Sequence, residues 1–104
     1  MVIAYKLLQN PATVVDMHET DEIRRKRLRF RSWHRGTREL DLMLGRFADR
    51  HMDSLTAEQL DRFEALIDQP DPDLYRWISG ADAPPTVHDN DVMEMFKNIK
   101  IKIE

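Results

Sequence analysis

Apolar residues return with a helical period along most of this chain. Leu40, Met43, Leu44 and Phe47 fall at i, i+3, i+4 and i+7, one face of a helix predicted over residues 37–51. Gly45 lies inside that helix and weakens it by roughly 1 kcal/mol relative to alanine, which predicts close helix packing at that point. Leu60, Phe63 and Ile67 give the inner face of a helix over 56–69. Thr56 opens it, with Gln59 at the capping-box position and Leu55 and Leu60 at staple spacing. Leu74, Trp77 and Ile78 mark a helix over 72–79, with Asp71 as cap, Pro72 at the first position and Gly80 as stop. Val92, Met95, Phe96, Ile99 and Ile103 carry a last helix, placed near 89–100.

The segment near 21–34 is different. Thr20 is a natural N-cap, and Asp21 and Glu22 suit the positive helix end. Its apolar residues, Ile23, Leu28, Phe30 and Trp33, form no clean stripe, so long arginine stems must cover part of the surface. Apart from the short Ile-Lys alternation at the end of the last segment, no stretch alternates with period two over a strand length. The expectation is an all-α fold, a small single-domain bundle of about five helices. The organisation expected is a tail at 1–19, a helical core domain at 20–80, a linker at 81–88 and a C-terminal helix at 89–104 packing on the core.

Charge changes this picture. Net charge is only −3, yet residues 24–38 hold eight of the sixteen basic side chains and no acid, while residues 39–91 hold thirteen acids against four arginines. Such asymmetry points to a charged partner or to pairing between the halves, and pairing is expected for Arg24 and Arg27. The arginine row with Phe30 and Trp33 also admits a nucleic-acid reading, disfavoured by the acidity of the rest.

Candidate chemistry is sparse. There is no cysteine, which removes thiolate catalysis and Cys-based metal sites. His18, His34, His51 and His88 show no i, i+3 or i, i+4 pairing, so no metal site is expected. Glycines at 36, 45 and 80 build neither a P-loop nor a dinucleotide fingerprint. The carboxylates sit at helix starts or on outward faces, and no catalytic residue is assigned. Met1–Leu8 is too short to span a membrane. The first 22 residues carry Asp16, Glu19, Asp21 and Glu22 and no arginine, unlike a mitochondrial presequence, so a bacterial cytoplasmic protein is expected.

The junction Arg35-Gly36-Thr37-Arg38-Glu39 stands out, because glycine and crowded charges between rigid elements favour recognition over packing. With Gly36 as N-cap, Glu39 lies at N3 and serves the helix end, partner contact, or both. Arg35 precedes Glu39 in the poorer i, i+4 orientation, so an intermolecular ion pair is expected of it, with charge reversal weakening binding without unfolding. Trp33 and Trp77 read as core or interface-edge aromatics.

Arg-Gly-x-x-Glu at residues 35–39 is followed by Ser54-Leu55-Thr56-Ala57-Glu58 and by Asp71-Pro72-Asp73-Leu74 with Trp77. These landmarks, in order over roughly residues 22–80, resemble the succinate dehydrogenase FAD assembly factors, the SdhE-type flavinylation factors. The chain departs from that pattern at Trp33 and His34, where many members are basic, and at Thr37, where Met is frequent. The resemblance, to a family with mitochondrial relatives, implies a non-catalytic chaperone that binds the flavoprotein subunit of succinate dehydrogenase, and the fumarate reductase flavoprotein as a second partner. FAD is attached covalently to the partner and is not held stably here; no residue is singled out as touching it. By the same resemblance Arg35, Gly36 and Glu39 form the heart of the contact, with Arg31, Trp33, His34 and Arg38 around it. The alternative is a regulatory or antitoxin-like helical protein linked to nucleic acid through the arginine-rich helix.

Overall fold

The computed structural model describes residues 19–103. Among the described residues five helices follow in order, α1 (Asp21–Trp33), α2 (Arg38–His51), α3 (Ala57–Ile67), α4 (Asp71–Ser79) and α5 (Asp91–Ile103), with 3-10 turns at Met52–Ser54 and Thr86–His88. The described residues contain no strand, and the fold is all-α as expected. The tail expected at residues 1–19 lies outside the described residues, apart from Glu19.

Local chemistry sets the helix ends. The Thr20 hydroxyl accepts from Ile23 N–H at 3.1 Å and starts α1. Thr56 and Gln59 form the full capping box on α3, with reciprocal bonds of 3.1 and 3.0 Å. Gly80, in the left-handed region at φ 88°, ends α4. Two starts differ from the sequence reading. Pro70 caps α4, which places Asp71 at N1 and Pro72 at N2, because the extended backbone of Pro70 already forms the entry turn. The last helix begins at Asp91, where the Asn90 side chain accepts from Met93 N–H at 3.1 Å.

Three near-parallel phenyl rings knit the centre. Phe47 of α2 lies 3.9 Å from Phe96 of α5 and 5.5 Å from Phe63 of α3, between ring centroids. Leu44, Leu60, Leu74, Ile78 and Met93 close around them, all at most 1% exposed. Within residues 81–88 the 3-10 turn at Thr86–His88 buries His88, whose ring lies 5.5 Å from that of Trp77, while Val87 stays exposed.

α1 packs by other means. Within it only Leu28 and Ser32 are buried, and five half-buried arginines together with Trp33 supply much of the rest of its contact surface. Its C-terminal Trp33 lies over Gly45 of α2, as close packing at that glycine predicted. A Cβ built on Gly45 would stand 2.2 to 2.6 Å from three carbons of the indole. Indole Nε1–H donates to Asp49 at 3.2 Å, which fixes the ring across the glycine.

Candidate functional site

The site is the short connection from α1 to α2. α1 stops at His34, whose N–H still reaches Arg31 O at 3.3 Å. Gly36 then takes φ 107°, a left-handed conformation that side chains resist. Thr37, in extended geometry, caps α2 by accepting from Leu40 N–H at 3.4 Å. The cap is therefore Thr37 and not Gly36, because the hydroxyl supplies an acceptor that glycine lacks. Glu39 consequently sits at N2, one position earlier than the sequence suggested, where its charge still complements the helix end.

Arg35 is the main correction. Its guanidinium is not free for an intermolecular pair. Nε and Nη2 donate to Asp71 at 2.9 and 2.8 Å, Nη1 to Ile67 O at 2.6 Å, and Nη2 also to Gln69 O at 3.0 Å. Its side chain is 10% exposed and that of Asp71 20%. The backbone N–H of Arg35 donates to Asp41 at 2.6 Å. One residue thus ties the α1–α2 junction to the α3–α4 junction, and carries a cation to the carbonyl end of α3. Charge reversal there cannot be neutral for folding. Arg35→Ala is expected to cost about 2–4 kcal/mol, toward the range for breaking a buried pair, read as a lowered thermal midpoint. Arg35→Lys recovers only part, since an ammonium cannot reproduce the fork that reaches carboxylate and carbonyls together.

The other singled-out residues divide by where they lie. Gly36, Arg38 and Glu39 are exposed. A Cβ on Gly36 would meet nothing within 4 Å. The Arg38 and Glu39 side chains have no ion-pair or hydrogen-bond partner among the described residues. His34 is exposed and stacks on Phe30 at 3.9 Å, its Nδ1–H donating to Phe30 O at 2.7 Å. Arg31 pairs with Asp68 at 2.7 Å, and Trp33 is half-buried over Gly45.

Beside the turn runs a groove of about 460 Å³, absent from the sequence reading. Thr37, Glu39 and Leu40 form one wall, and Asp71, Pro72, Tyr75 and Arg76 of α4 the other. The landmark Asp71-Pro72 was legible, but only as helix-capping chemistry. Tyr75 gave no signal because it falls between the buried positions of α4.

The arginine row is engaged by the acidic half. Arg24 bonds Asp61 and Glu64 at 2.8 and 2.9 Å, and Arg27 bonds Glu19 and Glu64 at 2.6 and 2.9 Å. Arg25 reaches Asp21 at 2.7 Å, Leu55 O at 2.9 Å and Met52 O. Arg29 faces Asp49 and Asp53 at 3.6 and 3.7 Å, and its buried Nε makes no hydrogen bond, so that pairing is Coulombic. Burial pushes the Glu64 carboxyl up, but the bonds from Arg27 and Arg24 outweigh it and hold the group below the ordinary glutamate range. The bond from Arg27 likewise lowers Glu19.

A depressed carboxylate binds fewer protons folded than unfolded. Its contribution is complete above the unfolded value of about 4.3 and is lost as pH falls through the lower folded value. The thermal midpoint is therefore expected to fall on acidification through that window. Arg27→Ala should flatten that fall, which pH-resolved melting curves check.

Among the described residues, no group of three or more His, Cys, Asp or Glu stands close enough to hold a metal. No described helix is long and apolar enough to cross a membrane. The site offers shape, one left-handed glycine and two charges of opposite sign that have no partner among the described residues.

Comparison with known proteins fits such a surface. The chain is 39% identical over 83 residues to succinate dehydrogenase assembly factor 2, mitochondrial, of Meyerozyma guilliermondii, covering 76% of this chain and 62% of that protein. It is 46% identical over 57 residues to the FAD assembly factor SdhE of Acetobacter pasteurianus, covering 55% and 52%. To the assembly factor 2 of Dictyostelium discoideum it is 33% identical over 95 residues, covering 89% and 67%. The chain thus spans between about half and two-thirds of the length of these relatives. Mitochondrial names among them overturn the bacterial cytoplasmic expectation. That expectation leaned on the acids of the first 22 residues, and the composition of that stretch carries nothing about the compartment of a core shared with mitochondrial proteins. Residues 26–100, which include the whole junction, match the family model described as flavinator of succinate dehydrogenase, and the chain belongs to that family.

Proposed function

We propose that this chain is an assembly factor that binds the flavoprotein subunit of succinate dehydrogenase and promotes covalent attachment of FAD to it. The chain supplies no catalytic group. It binds the productive conformer of the flavoprotein more tightly than other conformers and so raises its population. The flavin ends on the partner, and the fumarate reductase flavoprotein is the second client expected from the family resemblance. Gly36, Arg38, Glu39 and His34 touch the partner, while Arg35, Trp33 and Arg31 hold the turn from beneath.

The observation that carries this reading is the exposed turn itself. Gly36 faces open space in a conformation glycine alone tolerates well, followed by Arg38 and Glu39, which have no partner among the described residues, on a junction anchored by Arg35. A rigid, uncrowded turn of this kind lets a partner backbone approach closely. A nucleic-acid partner is less well supported, because Arg24, Arg25, Arg27, Arg31 and Arg35 already bond carboxylates of this chain.

The immobilised chain is expected to retain a flavoprotein subunit that lacks covalent FAD, and Arg38→Glu, at the first position of α2, is expected to reduce that retention without lowering the thermal midpoint. Salt-sensitive capture of DNA or RNA, with no retention of the flavoprotein, would replace this reading.

A further inference from the structure

The groove between the first turn of α2 and α4 has a composition that selects what can enter it. Its floor is apolar, from Leu40, Pro72 and Tyr75, and Tyr75 is 46% exposed. Its charges are nearly all satisfied within the chain. Asp71 holds Arg35 at 2.8 Å, and Arg76 holds Asp82 at 2.7 Å. The Thr37 hydroxyl accepts from Leu40 N–H. Glu39 alone among the lining charges has no partner among the described residues, so the rim carries one uncompensated negative charge beside an apolar trough.

The geometry points to a basic–apolar pair of side chains on the flavoprotein as the occupant: an aliphatic or aromatic group on Leu40, Pro72 and Tyr75, and a lysine or arginine on Glu39. This deepens the proposed function and rests on it. Charge complementarity disfavours an acidic segment, since the lining residues offer Glu39 and no partnerless cation, and Arg38 lies on the turn outside that lining. Continuity favours the flavoprotein over an unrelated partner, because Thr37 and Glu39 belong both to this wall and to the turn of Gly36. A partner packed against that turn covers the groove as well. Tyr75 brings a rigid amphipathic ring, the kind of side chain that anchors interfaces at little entropic cost. Glu39 then has two duties, one to the end of α2 and one to the partner.

Two experiments on the full chain with the flavoprotein subunit test this. In a binding titration, Tyr75→Ala and Glu39→Lys are each expected to weaken affinity about tenfold or more, as truncation of an interface anchor does. Glu39→Asp should retain most of the affinity. Tyr75 is exposed, so the thermal midpoint of Tyr75→Ala should move little, while Glu39→Lys should lower it modestly by placing a cation at the start of α2. A photo-crosslinking phenylalanine at position 75 is expected to capture a flavoprotein peptide with a lysine or arginine within a few residues of the attachment point. Attachment to a second copy of this chain, or to a peptide without a basic side chain, overturns the proposal. Full affinity of Tyr75→Ala and Glu39→Lys alongside loss of binding by Gly36→Arg overturns the groove and leaves the turn standing. Full affinity of all three variants removes the functional reading itself.

Discussion

Gly36→Arg is expected to leave the chain folded and the dehydrogenase flavoprotein without covalent FAD. The glycine has no neighbour that a Cβ would strike, so the substitution creates no internal clash. The left-handed backbone at φ 107° strains any side chain there, at about 1–3 kcal/mol, which a cooperative domain withstands. The larger effect lies outside the chain. A long guanidinium projecting from an exposed turn keeps a partner from closing on it and adds a charge beside Arg38. Gly36→Ala separates the two causes, since it carries the same backbone strain with one methyl group. It should melt close to Gly36→Arg yet support substantially more flavinylation. If Gly36→Arg is folded and fully active, the turn is not the working surface.

Gly45→Leu is expected to destabilise the fold by about 3–5 kcal/mol, comparable to losing a packed tryptophan. Even a Cβ there would stand 2.2 Å from the Trp33 ring, so the indole must leave and its bond to Asp49 goes with it. Gly45→Ala gives the sharper test because its sign depends on Trp33. With Trp33 present, overpacking should cost about 1–3 kcal/mol. In a Trp33→Ala background the clash disappears, and the alanine should stabilise α2 by up to about 1 kcal/mol through helix propensity. A double-mutant cycle on thermal or denaturant unfolding measures the reversal. Additive effects would mean that the two residues do not meet.

Features written within one turn of helix were legible in the sequence. The capping box at Thr56 and Gln59, the stop at Gly80 and the apolar face of α2 follow from neighbours three or four residues apart. Gly45 was legible as a close approach, though not which side chain approaches. What the sequence hid depends on distant partners. Arg35 looked free because Asp71, Ile67 and Gln69, its actual partners, lie more than thirty positions downstream. Thr37 displaced Gly36 as cap through a hydroxyl whose direction is set only once α1 ends. His88 looked like linker, and its burial requires Trp77 of α4 beside it. The groove was invisible for the same reason, since α2 and α4 build it together.

Whether this chain drives flavinylation is tested by producing the dehydrogenase flavoprotein subunit in cells lacking their own assembly factor, with and without the chain. After denaturing electrophoresis, flavin fluorescence at the position of the subunit reads covalent FAD directly. A strong fluorescent band is expected with the wild-type chain, and little signal with an empty vector or with Gly36→Arg at equal protein level. Equal fluorescence in all three, or none with the wild-type chain although it is folded and present, would contradict a role in flavinylation.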